Sequence, residues 1–151
     1  METFNVSEDL VEKCLGRRPN QVKSVRSTHN HQLDKDGVDF LLYFKFKDVD
    51  GVPRFFPLAL PLQVKTSDDA DTVGVVLPLP AEIPEKLKNR LTLRKLGRIR
   101  KHQGKHGHIS CILFVGRPED GKKETVILED IWREAKKMKD YIRRYRFPNF
   151  R

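Results

Sequence analysis

One acidic residue and one short polar tripeptide have the types and spacing that chemistry needs. Asp39 lies 24 residues before Gln63, and Lys65 follows Gln63 by two positions. A carboxylate and a side-chain carbonyl can hold a hard divalent cation, and an ammonium beside them can offset the negative charge that develops when water attacks a phosphodiester. The three residues predict a metal-dependent nuclease site, provided that the fold brings them together.

Two runs of alternating apolar and polar residues must position these side chains. Strict alternation is typical of a half-buried strand, and Asp50-Gly51 between the runs is a signal for a hairpin turn. Every apolar position in both runs is even-numbered: Val38, Phe40, Leu42, Phe44, Phe46, Phe56, Leu58, Leu60, Leu62 and Val64. Burying both sets on one core requires even residues to stand beside even ones. The odd-numbered Asp39, Gln63 and Lys65 then share the other face.

This parity also predicts the register of the hairpin. A three-residue loop from Asp50 to Val52 would place Asp39 directly opposite Gln63, with their Cβ atoms roughly 5 Å apart. A two-residue turn would put the apolar faces out of step, so we expect either the longer loop or a bulge that restores the parity.

The remaining pattern predicts further helices and strands around the hairpin. Ser7 can cap a first helix that ends at Gly16 and buries Leu10, Val11, Cys14 and Leu15. Strands are expected at 22–27, 73–77, 108–115 and 125–128, a basic helix at 84–96, and the longest helix at 129–146, with Trp132 and Tyr141 in the core.

Length and composition predict a single domain covering residues 1–151. No apolar run approaches the ~20 residues that cross a bilayer, and the first residues lack the regions of a secretion signal. We therefore expect a cytoplasmic protein that does not enter a membrane. Cys14 and Cys111 are too few for a disulfide scaffold, and their apolar neighbours favour buried free thiols.

The net charge of +9 is concentrated in one segment. Residues 1–83 hold 10 Lys and Arg against 13 Asp and Glu, whereas residues 84–111 hold 9 against 1. Such a block, residues 84–105, favours binding to the phosphates of a nucleic acid over an ordinary solvated helix face. The basic residues are Lys86, Lys88, Arg90, Arg94, Lys95, Arg98, Arg100, Lys101 and Lys105.

The order of these features resembles a known superfamily. An N-terminal helix with a glutamate, a Gly-x-Asp that opens a strand, a hairpin and a Gln-x-Lys on the return strand are similar to the restriction-endonuclease-like PD-(D/E)xK superfamily. The Mrr-like and Holliday-junction-resolvase-like groups are most similar, because glutamine can replace the acid of their final tripeptide. The resemblance covers about residues 7–67. It implies an α/β (α+β) fold with a mixed sheet and central hairpin flanked by helices, and hydrolysis of DNA with Mg²⁺ or Mn²⁺.

The resemblance also assigns roles to residues. It implies that Asp39 and Gln63 bind the metal, that the backbone carbonyl of Val64 completes the metal sphere, and that Lys65 is the catalytic lysine. The helix glutamate would be Glu8, with Glu12 as second choice. Because Gln63 is neutral, metal binding should be weak unless another carboxylate contributes.

Two other functions remain open at this point. A nucleic-acid-binding module could keep the fold without catalysis, and an accessory subunit could use the basic block to bind an acidic protein. A homodimer would suit cleavage of both strands of DNA, although the sequence indicates no interface.

Overall fold

A computed structural model describes residues 6–27, 37–48, 50–67, 72–78, 81–89, 91–103, 110–116 and 123–146. The first two residues of the strand expected at 108–115, as well as Arg90 and Lys105, lie outside these ranges. The elements in chain order are α1 (Val6–Gly16), β1 (Val22–Arg26), β2 (Phe40–Lys47), β3 (Pro53–Phe55), β4 (Leu60–Thr66), β5 (Val73–Val76), α2 (Glu85–Lys88), α3 (Leu93–Gln103), β6 (Cys111–Val115), α4 (Glu124–Tyr141) and a π-helical turn, Ile142–Arg146.

The six strands form one mixed sheet flanked by helices, which confirms the expected α+β class. Its order is β1-β2-β4-β6-β5, and β3 pairs with β2. The neighbours β1, β2 and β4 are antiparallel, whereas β4 and β6 are parallel. A parallel pair needs a long crossover connection, and here that connection contains β5, α2 and α3.

The two faces of the sheet pack against different helices. The even-numbered side chains of β2 are buried, as the alternation predicts, in a core that also contains residues of α1 and α4. A second cluster on the opposite face contains Val76, Leu87, Ile99 and Ile112, which joins α2 and α3 to β5 and β6. We call the side of α1 and α4 the covered face. The odd-numbered side chains of β1, β2 and β3 form what we call the open face.

The first helix agrees with its expected bounds but not with its expected cap. Leu10, Val11, Cys14 and Leu15 are buried along it, as predicted. Ser7 does not precede the helix but lies inside it. Its buried hydroxyl group is 2.8 Å from Thr66 Oγ1, so this serine ties the start of α1 to the end of β4.

The register parity of the hairpin is confirmed, but the three-residue loop is wrong. Phe46 pairs with Arg54 in the upper part, and Leu42 pairs with Leu60 in the lower part. The connection between β3 and β4 therefore contains two extra residues, so even-numbered residues still pair with even-numbered ones. Leu58 lies in this bulged connection and is 60 % exposed, so its expected burial is also wrong. Pro57 begins the connection and has no N–H to donate to a ladder, which favours an interruption there.

The hairpin turn runs through Asp48, and this carboxylate organises it. Asp48 Oδ1 accepts hydrogen bonds from the amides of Asp50 and Val52, both at 2.9 Å, and Gly51 adopts a φ of 77°. The hydrogen bond from Val52 is the main cause that lowers the pKa of the Asp48 carboxyl group. The loop thus begins two residues earlier than the sequence predicts.

The basic segment and the last helix also differ from expectation. The helix expected at 84–96 is two helices, α2 and α3. The strand expected at 125–128 is the beginning of α4, because Ile127, Leu128, Ile131, Ala135 and Met138 follow a helical period and are all buried on one side. Residues 125–128 alone have the composition of a short strand, but the apolar positions of the longer segment follow the helical period.

The two aromatic residues expected in the core of α4 are packed to different degrees. Tyr141 is buried, whereas Trp132 is partly buried and lies beneath the guanidinium of Arg18, at 4.5 Å from the ring centroid. Both cysteines are buried free thiols, as predicted. Burial raises the pKa of Cys14, whose thiol group donates to the carbonyl of Leu128.

The terminal strand β5 is held by side chains from three helices. Glu134 of α4 accepts the amide hydrogen bond of Val75 at 3.2 Å. The carbonyl groups of Val73, Val76 and Leu77 accept hydrogen bonds from Lys86, Gln103 and Arg100 respectively. Backbone groups of an edge strand that are bonded in this way cannot pair with another chain.

Candidate metal and nucleic-acid site

Asp39 lies in the fork where β2 and β4 separate. Its amide donates to the carbonyl of Leu62 at 2.9 Å, and its carbonyl accepts from the amide of Ser27 at 2.9 Å. Its carboxylate Oδ2 accepts the amide hydrogen bond of Val64 at 2.7 Å. The side chain therefore sits between the two strands, where a ladder hydrogen bond would otherwise continue.

Gln63 belongs to the segment of β4 that Asp39 contacts. The register of β2 and β4 ends at the pair Phe40 and Leu62, one residue before Gln63. The two hydrogen bonds of Asp39 to Leu62 and Val64 bracket it on both sides. The backbone of Gln63 therefore lies close to Asp39, whereas direct contact between the two side chains stays a prediction.

The side-chain oxygen of Gln63 has an unusual environment. Oε1 is buried and has no hydrogen-bond partner among the residues that the structure describes. A buried acceptor without a donor costs on the order of 1–3 kcal/mol. An oxygen in this state is suited to a cation, so the residues present fit a hard divalent metal.

Val64 contributes through its backbone. Its side chain is 7 % exposed and belongs to the core of the covered face. Because the N–H and C=O of a residue in an extended strand face the same neighbour, the carbonyl of Val64 points to the same side as its amide, towards Asp39. An oxygen-only set of carboxylate, amide and backbone carbonyl is the type that Mg²⁺ and Mn²⁺ prefer.

Lys65 completes the tripeptide on the side opposite the core. It is exposed, and its position two residues after Gln63 places both side chains on the same face of β4. In the parallel ladder Gln63 pairs with Ile112 and Lys65 pairs with Phe114, both of which belong to the cluster beneath α2 and α3. The lysine thus lies at solvent next to the fork.

Glu8 approaches the same end of the sheet from the covered side. Its side chain is 17 % exposed, and Oε1 is 3.7 Å from Arg26 Nε. Glu12 is 56 % exposed and forms a closer ion pair with Arg26, at 2.7 Å. Of the two candidate helix acids, Glu8 is therefore the more buried. Within the described ranges, no group of three or more His, Cys, Asp or Glu side chains is arranged to hold a metal ion.

Arg26 is the residue near this site that the sequence analysis missed. It ends β1, pairs with Phe40, and contacts three acids of α1: Glu8, Asp9 and Glu12. Burial opposes its charged form, but hydrogen bonds with Asp9 and Glu12 raise the pKa of the guanidinium above its ordinary value. The sequence signal is the presence of Glu8, Asp9 and Glu12 on one side of α1, because clustered carboxylates favour a cation on the adjacent strand.

The basic segment divides into structural and exposed residues. Lys86 donates to the carbonyl of Val73 and also lies 3.6 Å from Glu134, while Arg100 donates to the carbonyls of Leu77 and Ala81. Burial lowers the pKa of Arg100. Five other members of the segment are exposed: Lys88, Arg94, Lys95, Arg98 and Lys101.

Three of the exposed cations form a stripe on α3. Arg94, Arg98 and Lys101 follow the i, i+4, i+7 spacing of one helical face, and the helix contains no acid. Ile99 and Gln103 are buried on the other side of the helix, so the stripe points away from the sheet. Like charges at this spacing repel one another, and a bound polyanion would relieve that repulsion.

Comparisons with known proteins add no further information about this site. No protein-family model, curated protein or solved structure matches the chain. Among the helices of the described residues, none is long and apolar enough to cross a membrane.

Proposed function

We propose that this protein is a metal-dependent endonuclease of DNA, related to the PD-(D/E)xK superfamily. One observation carries the proposal: the buried Oε1 of Gln63 has no partner among the described residues, and the next residue, Val64, donates its amide hydrogen bond to the carboxylate of Asp39. Gln63 and Asp39 are 24 positions apart in sequence, and the hydrogen bonds of Asp39 with Leu62 and Val64 connect their segments.

The roles follow from the chemistry of each group. Asp39, the side chain of Gln63 and the carbonyl of Val64 would hold Mg²⁺ or Mn²⁺, with Glu8 as a further carboxylate. A bound ion supplies Lewis acidity at a phosphate oxygen and lowers the pKa of a coordinated water. Lys65, exposed on the same face, orients the water and offsets the charge that develops at phosphorus. The hydrogen bond from Val64 keeps the Asp39 carboxylate in place.

Binding of the substrate is assigned to the exposed cations of α3. The stripe of Arg94, Arg98 and Lys101 provides contacts to phosphates that do not depend on base sequence. Since α3 lies on the same side of the sheet as Gln63 and Lys65, one duplex could contact both. A cytoplasmic location belongs to this proposal, and two buried free thiols support it.

Cleavage assays with Mg²⁺ and with Mn²⁺ test the proposal on linear, supercoiled, branched and single-stranded DNA. We expect that Asp39→Asn and Lys65→Ala abolish cleavage. Lys136→Ala is the matched control, because it removes one exposed lysine from α4 on the covered side. Failure of the wild-type protein to cleave any substrate, or cleavage that survives both substitutions, would contradict the proposal.

The second candidate is a nucleic-acid-binding module that keeps the fold without catalysis. It is favoured by the neutral Gln63 and by Arg26, which already contacts Glu8, Asp9 and Glu12. This candidate predicts salt-dependent DNA binding, no Mn²⁺ binding, and unchanged DNA binding in Lys65→Ala. An accessory subunit that binds an acidic protein would instead show no cross-linking to nucleic acid.

A further inference from the structure

The open face of the sheet carries exposed apolar and aromatic side chains. Val25 on β1 is 46 % exposed and Phe55 on β3 is 40 % exposed. Tyr43, on β2 between them, is partly exposed. On the covered face, by contrast, β2 buries Phe40, Leu42, Phe44 and Phe46.

Within β1, β2 and β3, all charged side chains on the open face are lysines. The odd-numbered positions of β1, β2 and β3 include Lys23, Lys45 and Lys47 and no acid. An exposed protein surface usually mixes both signs of charge. The open face therefore complements a negatively charged partner.

Both aromatic residues on this face pair with a lysine. Tyr43 pairs directly with Lys23, and Phe55 pairs directly with Lys45. Lys45 Nζ lies 5.6 Å from the centroid of the Phe55 ring. A nucleotide offers a flat base next to a charged phosphate, and this pair of groups offers an aromatic ring next to an ammonium.

The two aromatic residues are spaced for neighbouring bases. Tyr43 precedes Lys45 by two residues on the same strand, so it is the diagonal neighbour of Phe55 across the β2–β3 pair. Diagonal neighbours are roughly 7–8 Å apart, and aromatic side chains can reach across that gap. Two bases of one strand could each contact one ring.

From these contacts we infer that the open face binds single-stranded nucleic acid, with bases on Tyr43 and Phe55 and phosphates at Lys23 and Lys45. Bases in a duplex are stacked on one another, so their faces cannot reach the rings. An acidic peptide would use the lysines but would gain little from the aromatic rings. The inference does not depend on hydrolysis, although Lys65 lies on the same face of the sheet as this surface.

Fluorescence anisotropy with a short labelled thymidine oligonucleotide tests the inference in the presence of EDTA. We expect Tyr43→Ala and Phe55→Ala each to weaken binding at least about fivefold, which is the lower end for loss of one base–aromatic stack. Phe55→Trp preserves an aromatic ring and should restore binding. Val126→Ala on α4 is the matched control, because Val126 is also 40 % exposed and lies in a helix outside the open face.

A photoreactive oligonucleotide provides a second measurement that does not require substitutions. Cross-links mapped by mass spectrometry should fall on Tyr43 or Phe55. Cross-links confined to α3, or equal affinity of the wild-type protein and both alanine variants, would overturn the inference. Polyglutamate that binds as tightly as the oligonucleotide and is unaffected by both alanine variants would also overturn it, and would assign the face to an acidic protein.

The outcome is separable from the test of the nuclease proposal. EDTA removes the metal, so oligonucleotide binding is measured without cleavage. A protein that binds the oligonucleotide but cleaves nothing contradicts only the nuclease proposal. A protein that cleaves, yet whose oligonucleotide binding ignores Tyr43 and Phe55, contradicts only this inference.

Discussion

At the scale of single residues, Gln63 determines what the site can do. Its neutral oxygen can bind a cation but adds no charge, so Asp39 is the carboxylate that lies in the fork itself. Attraction between a carboxylate and a divalent ion is strong in a partly buried site. Substitution of Gln63 by an acid should therefore destabilise the metal-free protein and strengthen the binding of the metal.

Gln63→Glu should destabilise the protein without metal by about 1–3 kcal/mol, because a carboxylate would replace the amide where its buried oxygen has no donor among the described residues. Mn²⁺ should recover that loss and bind at least about tenfold more tightly than to the wild-type protein. Thermal unfolding with and without Mn²⁺, together with calorimetric titration, measures both effects. Gln21→Glu, in an exposed turn, is the control. Equal Mn²⁺ affinity in Gln63→Glu and the wild-type protein would contradict a metal role for this position.

At the scale of elements, the attachment of α2 and α3 to β5 depends on close contacts and on side-chain hydrogen bonds. Gln103 is buried and donates to the carbonyls of Val76 and Ser110, at 3.1 and 3.0 Å. Gly74 on β5 faces α2 so closely that an added Cβ atom would lie 3.2 Å from Leu87 and 3.1 Å from Lys86. These contacts fix where the basic stripe is displayed.

Two glycine-to-alanine substitutions should have opposite signs. Gly74→Ala should lower the free energy of unfolding by about 1–3 kcal/mol, because the methyl group overpacks the contact with α2. Gly97→Ala on α3 should raise it by about 0.5–1 kcal/mol, because no atom lies within 4 Å of the added Cβ and alanine favours a helix. Urea denaturation compares the two variants with the wild-type protein. A stabilising Gly74→Ala would show that α2 can move away from β5 at little cost.

At the scale of the whole molecule, charge is separated along the chain and around the fold. The acidic residues of α1 are gathered at Arg26, whereas α3 presents cations without acids. Lys86 and Arg100 belong to the same basic segment but are used to hold backbone carbonyls. Long-range attraction of a polyanion should therefore depend more on the exposed stripe of α3 than on the total charge of the protein.

Replacing Arg94, Arg98 and Lys101 together by glutamine should weaken duplex DNA binding and make its salt dependence less steep by about 2–3 in the slope of log K against log salt. Each phosphate contact releases about one condensed counterion, which is why the slope counts contacts. Anisotropy titrations across a series of salt concentrations give the slope. The control replaces three exposed cations outside α3, Arg17, Lys123 and Lys136, by glutamine. An unchanged slope in the α3 variant would place the duplex elsewhere.

The sequence determined the central hairpin because alternation has a period of two and allows only one parity for a shared core. Phe46 opposite Arg54 and Leu42 opposite Leu60 both preserve that parity, although the turn and the bulge lie elsewhere than expected. Asp39 therefore bonds with Leu62 and Val64, the residues on either side of Gln63. The site depended on the parity of the register, which a bulge of two residues does not change.

Tertiary structure alone decided which charged and polar residues are used internally. Lys86, Arg100 and Gln103 are indistinguishable in sequence from their exposed neighbours, yet they bond with an edge strand whose position depends on a crossover of more than 30 residues between β4 and β6. Residues 125–128, expected as a strand, belong to α4 for a similar reason. Ile127 and Leu128 are buried in a core that also contains residues of α1 and of the sheet. Local pattern determines periodicity and parity, whereas the partner of a long polar side chain is set by which distant segment the fold brings within its reach.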